Sequence, residues 1–207
     1  MRARLSRIQC PPTFVSIIEV PPRFRVAVGE GGAVGEAVPD ERTIVLAPSA
    51  AFGDGTHETT RMCLQALAAF APRRPFRLLD VGSGTGILSI GAVKLGGSAI
   101  GVEIDEAANV AARENARLNG VEMTFDASWP AGTFDVVLAN ILRDVLVALA
   151  PGITSRLARP GVLVLSGLVS TDVPTIIARY GRLLDGSRPE IFERDAWRAL
   201  VWRLSRR

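Results

Sequence analysis

Residues 78–88 read LLDVGSGTGIL, an apolar stretch with one acid that runs into three alternating glycines and then into a second apolar run. A short strand that ends in glycines and opens a helix is a ligand-binding turn. Without a Cβ the chain can reverse sharply, and backbone N–H groups can approach a ligand at the helix N-terminus. Gly82, Gly84 and Gly86 form G-x-G-x-G. Glu103 follows at the end of the next strand pattern, SAIGVEID (98–105), where an acid can accept hydrogen bonds from both ribose hydroxyls of an adenosine cofactor. A dinucleotide fingerprint requires glycine three positions after its second one, and position 87 is Ile. The spacing is instead that of enzymes that use S-adenosylmethionine. This cofactor has no pyrophosphate, so the glycines leave room for its methionine and sugar. Asp80, just before the loop, either holds the cofactor's ammonium, directly or through water, or braces the loop's own N–H groups.

Outward from this turn, strand and helix patterns alternate. Met62, Leu64, Leu67, Ala68 and Phe70 fit an amphipathic helix that stops at Ala71-Pro72. Strands are expected at 76–81, 98–105, 123–127, 134–140 and 161–168, and helices at 87–96, 106–120, 141–158 (broken near Pro151-Gly152) and 173–184. EIFERD (190–195) and WRALVWRL (197–204) read as two further strands. Fully apolar strands alternating with helices indicate a mostly parallel sheet covered on both faces. Too few residues separate the last two strands for a crossover helix, so they form an antiparallel hairpin. The expected fold class is therefore α/β: a Rossmann-like, seven-stranded sheet with helices on both faces. Residues 1–45 differ, with strands at 13–20 and 23–28 around Pro21-Pro22 and a Gly-rich run at 29–36. They read as a short β-rich extension to a catalytic domain at 46–207.

Two strand ends carry further candidates. Asn140 closes FDVVLAN, where an open parallel sheet binds its ligands. It is either an N-cap for the next helix or a catalytic group whose amide oxygen accepts an N–H from an attacking amine. Asp126 ends the strand before it and either accepts the adenine amino group or is a plain surface acid. Enzymes that methylate an exocyclic base amine commonly follow such an Asn with two prolines and a stacking aromatic. Here Ile141, Leu142 and Arg143 occupy those positions, so direct nucleic-acid recognition is not expected.

Composition is ordinary for a soluble protein: 48% hydrophobic, 22% charged and a formal net charge of +3 over 207 residues. No apolar run approaches the ~18 residues that cross a bilayer, and no membrane association is expected. Cys10 and Cys63 have neither metal-ligand nor disulfide spacing, so no metal site is expected and a reducing cytoplasm fits.

The chain resembles the ribosomal protein L-eleven methyltransferase (PrmA) family of class I methyltransferases. The resemblance rests on AFGDGTHETT (51–60), LLDVGSGTGILSIGAVKLG, IGVEID, NARLNGV, FDVVLANIL and the W-x-x-L around Trp197 and Leu200. It implies S-adenosyl-L-methionine as cofactor, held by Thr60, Gly82, Glu103 and Asn140. The decapeptide, with Phe52 and Gly53, is implied to close over the methionine end. Gly53 and Gly55 would let the backbone wrap, the hydroxyl of Thr60 would reach the cofactor, and the alternative for Thr59 or Thr60 is a helix cap. His57 would orient the loop. Asp54 replaces the family's Thr and would set a carboxylate where an amine substrate approaches.

Transfer of methyl to a protein amine, lysine or α-amino, is the function implied, with a ribosomal protein as the family's substrate. The alternative is a small-molecule amine methylated by the same catalytic domain. Residues 1–45 are shorter than the substrate-recognition domain carried by full-length members. Poor methylation of the ribosomal protein with normal cofactor binding is therefore expected, with residues 1–45 packed near the decapeptide as one wall of an acceptor site.

Overall fold

In β4 (Arg77–Val81) the residues from Leu78 onward are all buried, as are Val136–Asn140 of β7 (Phe134–Asn140) and Gly161–Ser166 of β8 (Leu157–Val169). Consecutive burial means that both faces of these strands are covered. Side chains alternate between the faces. Leu78, Val136, Leu138, Val162 and Val164 join one core with Leu64 and Leu67 of α1 (Glu58–Phe70) and Ile87 and Ile90 of α2 (Ile87–Lys94). Leu79, Val137, Ala139, Leu163 and Leu165 join the other, with Leu146 and Ile153 of α4 (Arg143–Ser155) and Ile176 and Tyr180 of α5 (Val173–Leu183).

The computed structural model describes residues 14–29 and 40–206. Cys10, Arg207 and the Gly-rich run after Gly29 lie outside them. The main sheet has seven strands, in the order β6 (Thr124–Asp126), β5 (Ser98–Val102), β4, β7, β8, β10 (Trp197–Leu204), β9 (Glu190–Arg194). All pairs are parallel except those of β10, which runs antiparallel to both neighbours, as the short connection required. After β4 the chain moves outward through β5, α3 (Glu106–Leu118) and β6, and then returns to the other side of β4 as β7. The strand order thus reverses between β4 and β7. That arrangement opens a crevice at their carboxyl ends.

A second sheet precedes this one. β1 (Phe14–Val20) and β2 (Phe24–Gly29), at the two strands expected around Pro21-Pro22, form an antiparallel hairpin. β3 (Thr43–Leu46), too short to read from the sequence, pairs parallel with β2. Val20, Phe24, Val26, Ile44 and Leu46 share the core of α1 and α2. The division expected at residue 45 falls inside β3.

One expectation about the helices is corrected. The break near Pro151-Gly152 does not occur, and α4 runs through Pro151 to Ser155. Proline has no N–H to offer the carbonyl four residues back, that of Val147. Arg179 of α5 supplies the missing donor, its Nε lying 3.3 Å from the Val147 oxygen. Tertiary contact has replaced the lost helical bond. Arg179→Ala should therefore lower stability by about 0.5–1.5 kcal/mol, the net value of one hydrogen bond. In a Pro151→Ala background, where the backbone N–H returns, the same change should have a smaller effect. Urea denaturation of the four proteins of this double-mutant cycle measures the difference.

Candidate active site

The crevice between β4 and β7 continues into a cavity of about 640 Å³, within the usual range for a small-molecule site. Each strand end supplies part of its wall: Val81 and Gly82 after β4, Glu103 and Ile104 after β5, Ala127 and Trp129 after β6, and Asn140 to Leu142 after β7. Trp197 of β10 and Phe52, His57 and Thr59 close the remaining side. None of residues 14–29 lines it, so the N-terminal sheet packs beside the decapeptide without forming a wall of the cavity.

The decapeptide is bound to the glycine turn through backbone atoms. Thr85 donates from its N–H to the Phe52 carbonyl (3.1 Å) and from Oγ1 to the Gly53 carbonyl (2.6 Å). Gly84 has φ +51°, and a Cβ there would lie 2.3 Å from the Phe52 oxygen. The close approach of the two loops thus requires glycine. Gly82 faces the cavity, whereas Gly86 caps α2 and packs toward Phe125 and Ala112. Asp54 accepts from the Thr56 N–H (2.9 Å) and hydroxyl (2.6 Å), bracing its own turn, and is not among the residues that line the cavity.

His57 is the N-cap of α1. Its Nδ1 accepts from the Thr59 N–H at 3.3 Å and lies 2.7 Å from Thr59 Oγ1. A nitrogen that accepts carries no proton, so the Thr59 hydroxyl donates to it. The same hydroxyl oxygen accepts from Asn140 Nδ2 at 3.2 Å. This chain points the Asn140 NH₂ at Thr59. Asn140 Oδ1 is left buried, with no hydrogen-bond partner among the described residues. The His57 ring is itself held edge-on between Trp197 (4.7 Å) and Phe52 (5.3 Å).

The acids differ in environment. Glu103 accepts three backbone N–H bonds, at Oε2 from Gly84 at 3.1 Å and at Oε1 from Ile104 at 2.8 Å and Asp105 at 3.0 Å, so Oε2 alone retains a lone pair for a ligand. Asp80 is fully buried behind the glycine turn. Ser89 donates to its Oδ2 at 2.8 Å, and Oδ1 has no partner among the described residues. Burial pushes its pKa up to about 7 against the Ser89 bonds that lower it, with the Glu103 charge adding to the rise. Asp126 turns outward and accepts from the Ser128 N–H at 2.7 Å, a bond that holds its carboxyl below the ordinary range. It does not line the cavity, and Ala127 and Trp129 stand there instead.

Of the expected site residues, Phe52, Gly82, Gly84, Glu103 and Asn140 meet at the cavity. Gly53, Thr60, Asp80, Gly86 and Asp126 do not line it. Thr60 is buried with an unpartnered hydroxyl, and its neighbour Thr59 takes the cavity position. Sequence reasoning did not place Ile104, Trp129 or Trp197 in the site. Trp197 had a signal in the W-x-x-L motif, and Ile104 had one in its place beside Glu103. Among the described residues no group of three or more His, Cys, Asp or Glu side chains is placed to hold a metal ion, and no helix is long and apolar enough to cross a membrane.

Comparison with known proteins agrees with this geometry. The family model described as "Ribosomal protein L11 methyltransferase (PrmA)" matches residues 32–205. The ribosomal protein L11 methyltransferase of Syntrophotalea carbinolica is 44% identical over 173 residues, which is 79% of this chain and 56% of that protein. The one from Bordetella bronchiseptica is 40% identical over 199 residues, 94% of this chain and 64% of that protein. The chain thus spans a little over half the length of such relatives. The crystal structure of a ribosomal protein L11 methylase from Lactobacillus delbrueckii subsp. bulgaricus superposes with a TM-score of 0.79 at 28% identity, covering 92% of this chain and 100% of that one.

The buried Asp80 makes stability depend on pH. Its folded-state pKa of about 7 lies above that of an unfolded aspartate, ~3.9. The folded chain therefore binds more protons between these values, and the contribution present below about pH 4 is lost as pH rises to about 7. Asp80→Asn should flatten this part of the ligand-free profile, as read by denaturant unfolding at a series of pH values. An unchanged difference between wild type and variant across that window would contradict the assignment.

Proposed function

The chain belongs to the ribosomal protein L11 methyltransferase (PrmA) family, and from that premise we propose that it is an S-adenosylmethionine-dependent N-methyltransferase acting on a protein amine, lysine or α-amino. Residues 46–207 are the catalytic unit in this reading, and the setting is cytoplasmic. S-adenosylmethionine supplies an electrophilic methyl group on a positively charged sulfur.

The residues fit that cofactor in two places. Glu103 keeps a lone pair on Oε2 for a ribose hydroxyl, and Ile104, 89% exposed beside it, offers an apolar surface to the adenine. Thr60 and Asp80 hold buried oxygens without partners among the described residues but do not line the cavity, so in this reading they shape the polar methionine end from outside its lining. Gly82 and Gly84 keep that turn close to the ligand. Gly53, Gly86 and Asp126 support neighbouring backbone.

The observation that carries the reading is the orphaned Asn140 Oδ1. An acceptor amine that donates an N–H to it has its lone pair aimed into the cavity, so Asn140 orients the nucleophile. Lysine, with pKa ~10.4 in water, must first lose a proton. Thr59 and Ile141 adjoin Asn140, and the carboxyl on the same face of the neighbouring strand, Asp80, is fully buried with its pKa pushed up to about 7, which weakens its hold on an ammonium ion. Desolvation there favours the neutral amine.

Asn140→Ala should lower turnover by about 100-fold, the scale of a misaligned reactant, while leaving the cofactor Kd within a few-fold. Equal loss of affinity would move Asn140 from the nucleophile to the cofactor. Glu103→Ala should raise the cofactor Kd tenfold or more, because a charge-assisted bond worth ~1.5–3 kcal/mol is removed. Unchanged calorimetric affinity in a folded variant would take Glu103 out of the ribose site. Incubation with labelled cofactor, the proteins of a cell lysate and a panel of small amines tests the acceptor class. Label is expected in protein, and label in the small-molecule fraction alone would overturn that part of the reading.

A further inference from the structure

Asn115 and Asn119 lie one helical turn apart at the C-terminal end of α3, both buried. Asn119 accepts the Val45 N–H at Oδ1 (3.0 Å) and donates from Nδ2 to the Val45 carbonyl (2.6 Å), while Asn115 Oδ1 accepts the Ala47 N–H (2.8 Å). Four helical residues rise about 6 Å, and two strand residues advance about 6.6 Å. The two amides therefore match alternate residues of an extended chain and take the place of a strand along the edge of β3. Asn115 also reaches the other way, donating from Nδ2 to the Thr85 carbonyl at 2.9 Å. Thr85 in turn holds Phe52 and Gly53 through its N–H and hydroxyl. Every backbone polar group of Thr85, and its side chain, joins the glycine turn either to α3 or to the decapeptide.

We propose that Asn115 and Thr85 are positioning residues that couple the two ends of the cavity. Through them, a ligand held at the glycine turn and Glu103 also fixes the segment 50–57 that carries Phe52 and His57 to the acceptor side. The decapeptide is anchored at its entry by Ala47 and at Phe52 and Gly53 by Thr85. Both anchors meet at Asn115, so neither moves independently of the glycine turn. This coupling rests on the reading of the cavity as a cofactor site.

The test is hydrogen exchange on the full chain with and without S-adenosylhomocysteine as the probe. In the wild type the probe should slow exchange in the glycine turn and also in residues 50–57. Thr85→Val keeps the shape and loses the hydroxyl. It should retain protection at the glycine turn while residues 50–57 exchange about fivefold to tenfold faster, the equivalent of one hydrogen bond. Thr85→Ser should restore the wild-type pattern, and Asn115→Ala should behave like Thr85→Val. Asn119→Ala serves as the control, since it loosens β3 without touching Thr85. It should lower overall stability but keep the probe-dependent protection of 50–57. Protection of 50–57 that is unchanged in Thr85→Val and Asn115→Ala would overturn the coupling alone. Failure of the wild type to bind the probe would overturn the reading of the cavity and the coupling with it.

Discussion

The contact between the Phe52 carbonyl and the Gly84–Thr85 backbone governs the arrangement of the cavity. It joins a loop that precedes α1 to the turn that follows β4, two segments about thirty residues apart in sequence. Neither segment has internal regular structure to hold it. The turn is fixed by its strand and helix, and the loop takes its position from the turn. Because Gly84 has no side chain, the two backbones meet with no atom between them. His57 then lies between Phe52 and Trp197, and α1 begins at the angle set by this cap. The polarity and backbone freedom concentrated in AFGDGTHETT are accounted for by these bonds. Asp54 and Thr56 close its own turn, His57 and Thr59 start the helix, and Gly53 gives up its carbonyl to Thr85.

From that cap a second constraint reaches the reactive end. The donor side of the Asn140 amide is engaged by Thr59, whose hydroxyl is engaged by His57. An amide that can present either oxygen or nitrogen is thereby restricted to one orientation, and the face left over accepts hydrogen bonds. Leaving such an oxygen buried is unfavourable by about 1–3 kcal/mol. It is the kind of local penalty found where a site is organised for a ligand.

The sheet was legible in the sequence because its signals are local: apolar runs of strand length, glycines at the turn, and too short a link before the last strand. The misreadings lie where tertiary contact decides. Pro151 breaks a helix only if the freed Val147 carbonyl finds no other donor, and Arg179 comes from a different element. Thr59 and Thr60 are separated by about 100° around the helix axis, and which of them meets the cavity depends on the phase set by the His57 cap. Asp126 ends a three-residue strand whose parity is fixed by pairing with β5, with Phe125 inward and the acid outward. β3 has only four residues and obtains its second partner from side chains of α3. Glu103 and Gly82 were legible because strand ends beside a topological reversal are defined by the strands themselves.

Charge is distributed unevenly along the cavity, and this asymmetry bears on the chemistry. The carboxylates in its lining, Glu103 and Asp105, both lie at the end of β5, and Asp54 is turned into its own loop. The other lining residues Phe52, His57, Thr59, Ile141, Leu142 and Trp197 carry no carboxylate. A carboxylate about 4 Å from an amine would attract its protonated form by about 4 kcal/mol at an effective dielectric of 20. That amounts to about three pKa units, and it would hold a lysine in the one state that cannot attack. An amide oxygen accepts the N–H of a neutral amine with no such bias. In the proposed reaction the same neutrality would also avoid a competing counter-charge for the cofactor's cationic sulfur, whose positive field would disfavour a second cation nearby. Orientation by hydrogen bond and deprotonation by desolvation would thus be supplied, in that proposed reaction, by the same few residues.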